Sequence, residues 1–179
     1  GPLDEAVYRD VSPLTYFVQQ KPDEGAPATE ETEAWVMFDS THIYVAGRMW
    51  DQAGPSGLVA NEMRRDTSQL RENDVFWGAF DTFLDQQRAF VFSLNGYGVQ
   101  GDSLMSGGGG SGGYRGGSSS VPRGDSSWDV LFDSGGVLVE DGWTAELAIP
   151  FKSLRYPSSE THRWGFQVAR SIRGKDEVV

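Results

Sequence analysis

The sequence predicts an all-β fold: a two-sheet antiparallel β-sandwich, immunoglobulin-like or jelly-roll in type, carrying a long glycine-rich loop. Three observations lead there. Apolar residues recur with a period of two, the runs are short and rich in aromatic and β-branched residues, and turn formers separate them at close intervals. At 179 residues the chain has the length of one domain with a core of its own.

The elements follow in order. Asp4 to Arg9 reads as a single helical turn. Thr32 to Phe38 and Ile43 to Trp50 are two strand-like runs, and the Asp39-Ser40-Thr41-His42 stretch between them makes a hairpin. Val75 to Asp81 and Arg88 to Asn95 form a second pair, joined across Asp85-Gln86-Gln87. Trp128 to Phe132 and Trp143 to Ile149 form a third, with Glu140-Asp141-Gly142 as the turn signal. Pro150 to Leu154 reads as a brief helical or 3₁₀ corner, and Trp164 to Ser171 as the last strong strand.

Residues 106–126 differ in kind. Eight of the eleven residues from Gly107 to Gly117 are glycine, and serines follow. Such a stretch lacks side chains whose burial offsets the entropy of ordering it, so it reads as a flexible insertion within one domain spanning 1–179. The start at Gly1-Pro2 resembles an expression scar, and the whole reads as a fragment of a longer protein.

Charge narrows the function. A formal net charge of −11 disfavours nucleic acid, whose phosphates require Lys and Arg, and disfavours an anionic lipid surface. It suits a neutral ligand or a cation site. The absence of cysteine removes disulfides, thiolate nucleophiles and thiolate metal sites. No apolar run has the length of a membrane-spanning helix.

Several blocks then carry a family resemblance. Leu3-Asp4-Glu5-Ala6-Val7-Tyr8, Glu33 to Asp51 (EAWVMFDSTHIYVAGRMWD), Asn73 to Asp85 and Gly142 to Leu154 (GWTAELAIPFKSL) resemble, in that order, the blocks of family 9 carbohydrate-binding modules. Gln19 to Thr32, Asp81 to Asp85, Ala145 to Tyr156 and Trp164 to Val178 are similar to the N-terminal sandwich of large bacterial envelope proteins of unassigned function. The resemblance implies a two-sheet sandwich, a link to glycan binding without catalysis, and a place on the periplasmic or cell-surface side of a bacterial envelope. A rival role stands beside it, docking onto other envelope or membrane-complex proteins with sugar binding lost, which the loss of a clamp residue favours. In the carbohydrate-binding modules one sugar-clamping tryptophan precedes the acidic strand; here Gln69-Leu70-Arg71-Glu72 stands in that place, without an aromatic.

The candidate glycan site therefore moves to Trp50, with Asp51, Arg48, Arg64 and Arg65 as polar partners. An indole stacks on the C–H face of a sugar while charged groups fix its hydroxyls. Trp35, Trp77, Trp128, Trp143 and Trp164 fall within or at the ends of strands and read as core. Asp74, Asp81 and Asp85 are candidate ligands for a structural calcium, which takes several oxygens. Two strings imitate hydrolase motifs, Gly109-Gly110-Ser111-Gly112-Gly113 and Gly101-Asp102-Ser103-Leu104. Neither has the strand–turn–helix setting or the following histidine that nucleophilic catalysis needs, so no catalytic residue is assigned.

Overall fold

The computed structural model describes residues 3–106, 121 and 124–179. The insertion expected over 106–126 therefore lies mostly outside the described residues, as does the Gly109 to Gly113 string. Among the described residues, two antiparallel sheets form, neither closed into a barrel. One has four strands in the order β1(Thr32–Phe38), β2(His42–Trp50), β7(Gly142–Pro150), β6(Asp133–Val139). The other has five, in the order β5(Gln100–Ser106), β4(Arg88–Asn95), β3(Val75–Asp81), β8(Gly165–Ile172), β9(Glu177–Val178).

Alternation places the core. Ile43, Val45 and Met49 of β2 face Phe76 and Phe80 of β3 across the sandwich, with Trp143, Ala145, Leu147 and Ile149 of β7 beside them and Phe90, Phe92 and Leu94 of β4 opposite. Gly47 occupies the inward phase of β2 because a Cβ there would lie 2.7 Å from the Phe76 ring. The outer face of the five-stranded sheet is also apolar: Val75, Trp77, Ala79, Val91 and Ala169 form a second cluster with Leu70 and Val121. Leu70 comes from a 3₁₀ turn, Ser68–Glu72, just before β3.

Two expectations are corrected. Trp128 to Phe132 is not a strand; its aromatics plug the core from a loop, where Trp128 packs against the rings of Phe90 and Phe92. The partner of β7 is instead the run Asp133–Val139. Strand β5 was absent from the sequence reading; its polar residues QGDSLMS become a strand by pairing with β4. The helical turn lies at α1(Val7–Asp10), starting three residues and ending one residue later than expected, and the corner after β7 is a 3₁₀ turn over Phe151–Ser153. No helix among the described residues is long and apolar enough to cross a membrane.

Candidate functional site

The outer face of the four-stranded sheet carries the candidate site, and the strand register builds it row by row. Met37, Tyr44, Ala148 and Asp133 lie side by side in one row. Trp35, Ala46, Glu146 and Gly135 form the next, and Glu33, Arg48, Thr144 and Val137 the third. Trp50 ends the same face of β2, beside Gly142. The inward residues alternate with these, so one strand supplies both core and surface.

Small residues in the first two rows leave a trough. Ala46, Gly135 and Ala148 make its floor, and Tyr8, Tyr44, Asp133 and Glu146 line it, enclosing about 270 Å³. Ligand pockets for drug-sized molecules span roughly 300–1,000 Å³, so this one accepts a single ring rather than an oligomer. Helix α1 lays Tyr8 across the sheet: its ring meets Trp35 edge-on at 5.6 Å, and its hydroxyl donates to Glu146. Burial first, then this bond to Glu146, pushes the Tyr8 hydroxyl well above its ordinary pKa, so it remains a donor. Tyr44 is held from the other side, donating to Asp39 at 2.9 Å. Asp39 in turn accepts the main-chain N–H groups of Thr41 and His42, which hold its carboxylate well below the usual range.

At the far end of the face, the Arg48 guanidinium lies 4.6 Å from the centre of the Trp50 ring and pairs with Asp141. Of the five expected binding residues, these two come together. Asp51 turns inward, 8% exposed, and accepts the Ala53 N–H at 2.8 Å. Arg64 points to solvent and pairs with Glu62. Arg65 is held by Asp66, Asp102 and Asp129, with donor–acceptor distances of 2.7, 2.9 and 2.7 Å. Asp51, Arg64 and Arg65 therefore do not join the Trp50 platform.

The expected calcium ligands are not brought together either. Asp74 and Asp81 bracket opposite ends of β3, about 23 Å apart at ~3.3 Å per residue. Asp74 is fully buried and accepts the N–H groups of Val59 and Arg173. Asp81 accepts those of Phe83, Asp85 and Gln86, and Asp85 those of Gln87 and Arg88. Both shape the β3–β4 turn. Carboxylates do converge at Asp66, Asp102 and Asp129, within 4.8 Å of one another, but the Arg65 guanidinium already supplies their positive charge. Burial pushes Asp102 up to about 6, against the opposing pull of Arg65.

The Gly101 to Leu104 string lies within β5 with Ser103 buried. The histidines stand elsewhere, His42 against Thr41 and Tyr44, His162 against Tyr156 and Trp164. Of the tryptophans, Trp143 fills the inter-sheet core, and Trp128 and Trp164 pack at its margin. Trp77 belongs to the outer cluster of the other sheet. Trp35 is buried by α1 on the outer face rather than between sheets, and its indole N–H donates to the Val11 carbonyl at 3.1 Å.

The sequence reading missed Tyr8, Tyr44 and Glu146. Tyr44 and Glu146 were open to it, since both fall on the outward phase of strands whose inward phase is apolar. Tyr8 was not, because its place depends on a long-range docking.

No family model matches the sequence, and no curated protein matches it. Solved structures do match the fold. A family 9 carbohydrate-binding module from Caldicellulosiruptor kristjanssonii, in complex with cellotriose, superposes with a TM-score of 0.59 at 14% identity, covering 98% of this chain and 73% of that one. A form of this module with glucose gives 0.57 at 14% identity over 93% of this chain and 70% of that one. A Bacteroides uniformis protein described as a candidate carbohydrate binder gives 0.63 at 12% identity, covering 93% of this chain and 73% of that one. The chain has the β-sandwich fold of these carbohydrate-binding modules.

Proposed function

We propose that this chain is a carbohydrate-binding-type module, working outside the cytoplasm, that holds a glycan without cleaving it on the outer face of its four-stranded sheet. The observation that carries this reading is the trough itself. A sandwich needs no concavity on an outer face, yet Tyr8 and Tyr44 stand over a floor of Ala46, Gly135 and Ala148, each held by a carboxylate. Aromatic walls with a few fixed polar groups are what a sugar ring requires. Trp50 and Arg48 stand six and four residues further along the strand from Tyr44, so a chain laid along β2 meets aromatics at both ends. The fold likeness to modules crystallised with cellotriose and glucose supports the same reading.

Calorimetric titration with a panel of oligosaccharides tests it. Binding is expected for at least one neutral oligomer, with no new reducing ends after prolonged incubation. Tyr44→Ala and Trp50→Ala should each weaken binding by about tenfold, the scale of one lost aromatic contact. A folded protein that binds nothing across the panel sinks the proposal.

One observation favours a second reading, docking onto a protein. Strand β9 pairs with β8 at Ser171 and Ile172, and Val179 with Arg170. Beyond that point, among the described residues, Val168 and Phe166 have no main-chain partner on the outer edge of β8. A cleft of about 590 Å³ lies alongside, rimmed by exposed Leu14, Tyr16 and Val18. Such an edge accepts an added strand. If it does so in the native envelope assembly, the Val168 and Phe166 amides exchange more slowly there than in the isolated chain; equal rates rule this use out.

A further inference from the structure

We infer that the trough between Tyr8 and Tyr44 selects an amine-bearing sugar, the repeat unit of an amino-sugar polymer, over its neutral or N-acetylated counterpart. This rests on the glycan reading above and sharpens it. Shape sets the first condition: the trough admits one ring, and two tyrosines, Tyr8 and Tyr44, line it. Charge sets the second. Along the three rows the outward side chains include Glu33, Asp133 and Glu146, against a single cation, Arg48. Arg48 is turned away from the trough, stacked on Trp50 and paired with Asp141. Asp39 stands behind Tyr44.

An ammonium seated between aromatic faces and carboxylates gains both the quadrupole attraction and the ion pair. The hydroxyls of a neutral sugar gain only hydrogen bonds. An N-acetyl group removes the charge and adds bulk that the small floor does not need. His42 flanks Tyr44 on its other side, with ring centres 5.8 Å apart, and Arg9 follows Tyr8 in α1.

The test uses the whole chain and four-sugar oligomers of glucosamine, N-acetylglucosamine and glucose, titrated calorimetrically at mildly acid pH and low salt. The glucosamine oligomer is expected to bind about tenfold more tightly than the other two, the scale of one cation–π and ion-pair contact. That advantage should shrink in high salt. Glu146→Gln and, independently on the edge strand, Asp133→Asn should each bring the ratio of glucosamine-oligomer to glucose-oligomer affinity down to about one, because charge is lost and shape kept. Glu160→Gln, outside the trough, should leave the preference intact. If the neutral oligomers bind equally well, or the preference survives both trough substitutions, the inference falls and the glycan reading stands. If no oligomer binds, the glycan reading itself falls.

Discussion

Arg170 sits fully buried at one end of the sandwich. It donates to the Glu31 carbonyl and the Thr32 hydroxyl at 3.2 and 3.3 Å, within the field of Asp74, Asp51, Glu30 and Glu177. Burial lowers its pKa, and the four carboxylates oppose that shift. Lys175 pairs with Glu30, but Arg170 is the buried cation of the group, so Arg170→Met strands buried negative charge and should cost about 3–5 kcal/mol at neutral pH. Burial already raises Asp74, and the variant removes the Arg170 charge that opposes that shift. The folded value of Asp74 then lies further above the unfolded one, so the deficit grows as pH climbs from the carboxylate range. Urea unfolding at acid and neutral pH checks this; an equal deficit at both contradicts it. Asp102 behaves alike: its value of about 6 exceeds the ordinary 3.8, so the folded state holds the proton more tightly. Its contribution falls as pH rises through that interval and is flat above. Asp102→Asn should therefore flatten the stability slope there, and an unchanged slope would show that Asp102 does not titrate in this window. Gly47→Ala pushes a methyl group into Phe76 and should cost about 1–3 kcal/mol by overpacking, read as a lowered midpoint in the same unfolding curves. None of these burials was legible in the sequence, because a charged residue within a strand reads as the solvent phase unless its partners, distant in the chain, are known.

At the scale of elements, the sequence was most legible where both phases of a strand spoke clearly. β1, β2, β3, β4 and β7 fall within a residue or so of their expected limits. β6 was hidden by its glycines: a Cβ at Gly136 would lie 2.4 Å from the Gly98 nitrogen, so close approach of the turn after β4 demands the residue that weakens the strand signal. Trp128 to Phe132 misled for the converse reason, since apolar residues that plug a core from a loop carry the composition of a strand. β5 depends on its partner for its identity. The N-terminal segment is likewise a tertiary element. Leu14 bridges Ala34 of β1, and Lys21 bridges Val178 of β9, so the segment ties the two sheets together. Removing residues 3–12 should uncover Trp35 and one wall of the trough. Red-shifted tryptophan emission and loss of glycan binding, with the β-sheet circular dichroism kept, are the expected results. Unshifted emission would mean that α1 does not cover Trp35.

For the molecule as a whole, the two outer faces differ. That of the five-stranded sheet is apolar and buried around Trp77 and Leu70. That of the four-stranded sheet is aromatic, acidic and open at the trough. The family resemblance pointed towards the region of Gln69 to Glu72, and that segment is the 3₁₀ turn whose Leu70 closes the apolar cluster. Trp50 was chosen from the sequence as the last aromatic of its strand, and it does lie on the open face with Arg48. The trough beside it was illegible because its floor, walls and carboxylates come from four separate segments. Amide shift mapping during titration with a bound oligosaccharide measures which face is used. Shifts confined to Tyr44–Trp50, Thr144–Ala148 and the neighbourhood of Tyr8 are predicted. Shifts centred on Leu70, Trp77 and Ala169, with the four-stranded sheet silent, would contradict the assignment of the glycan to this face.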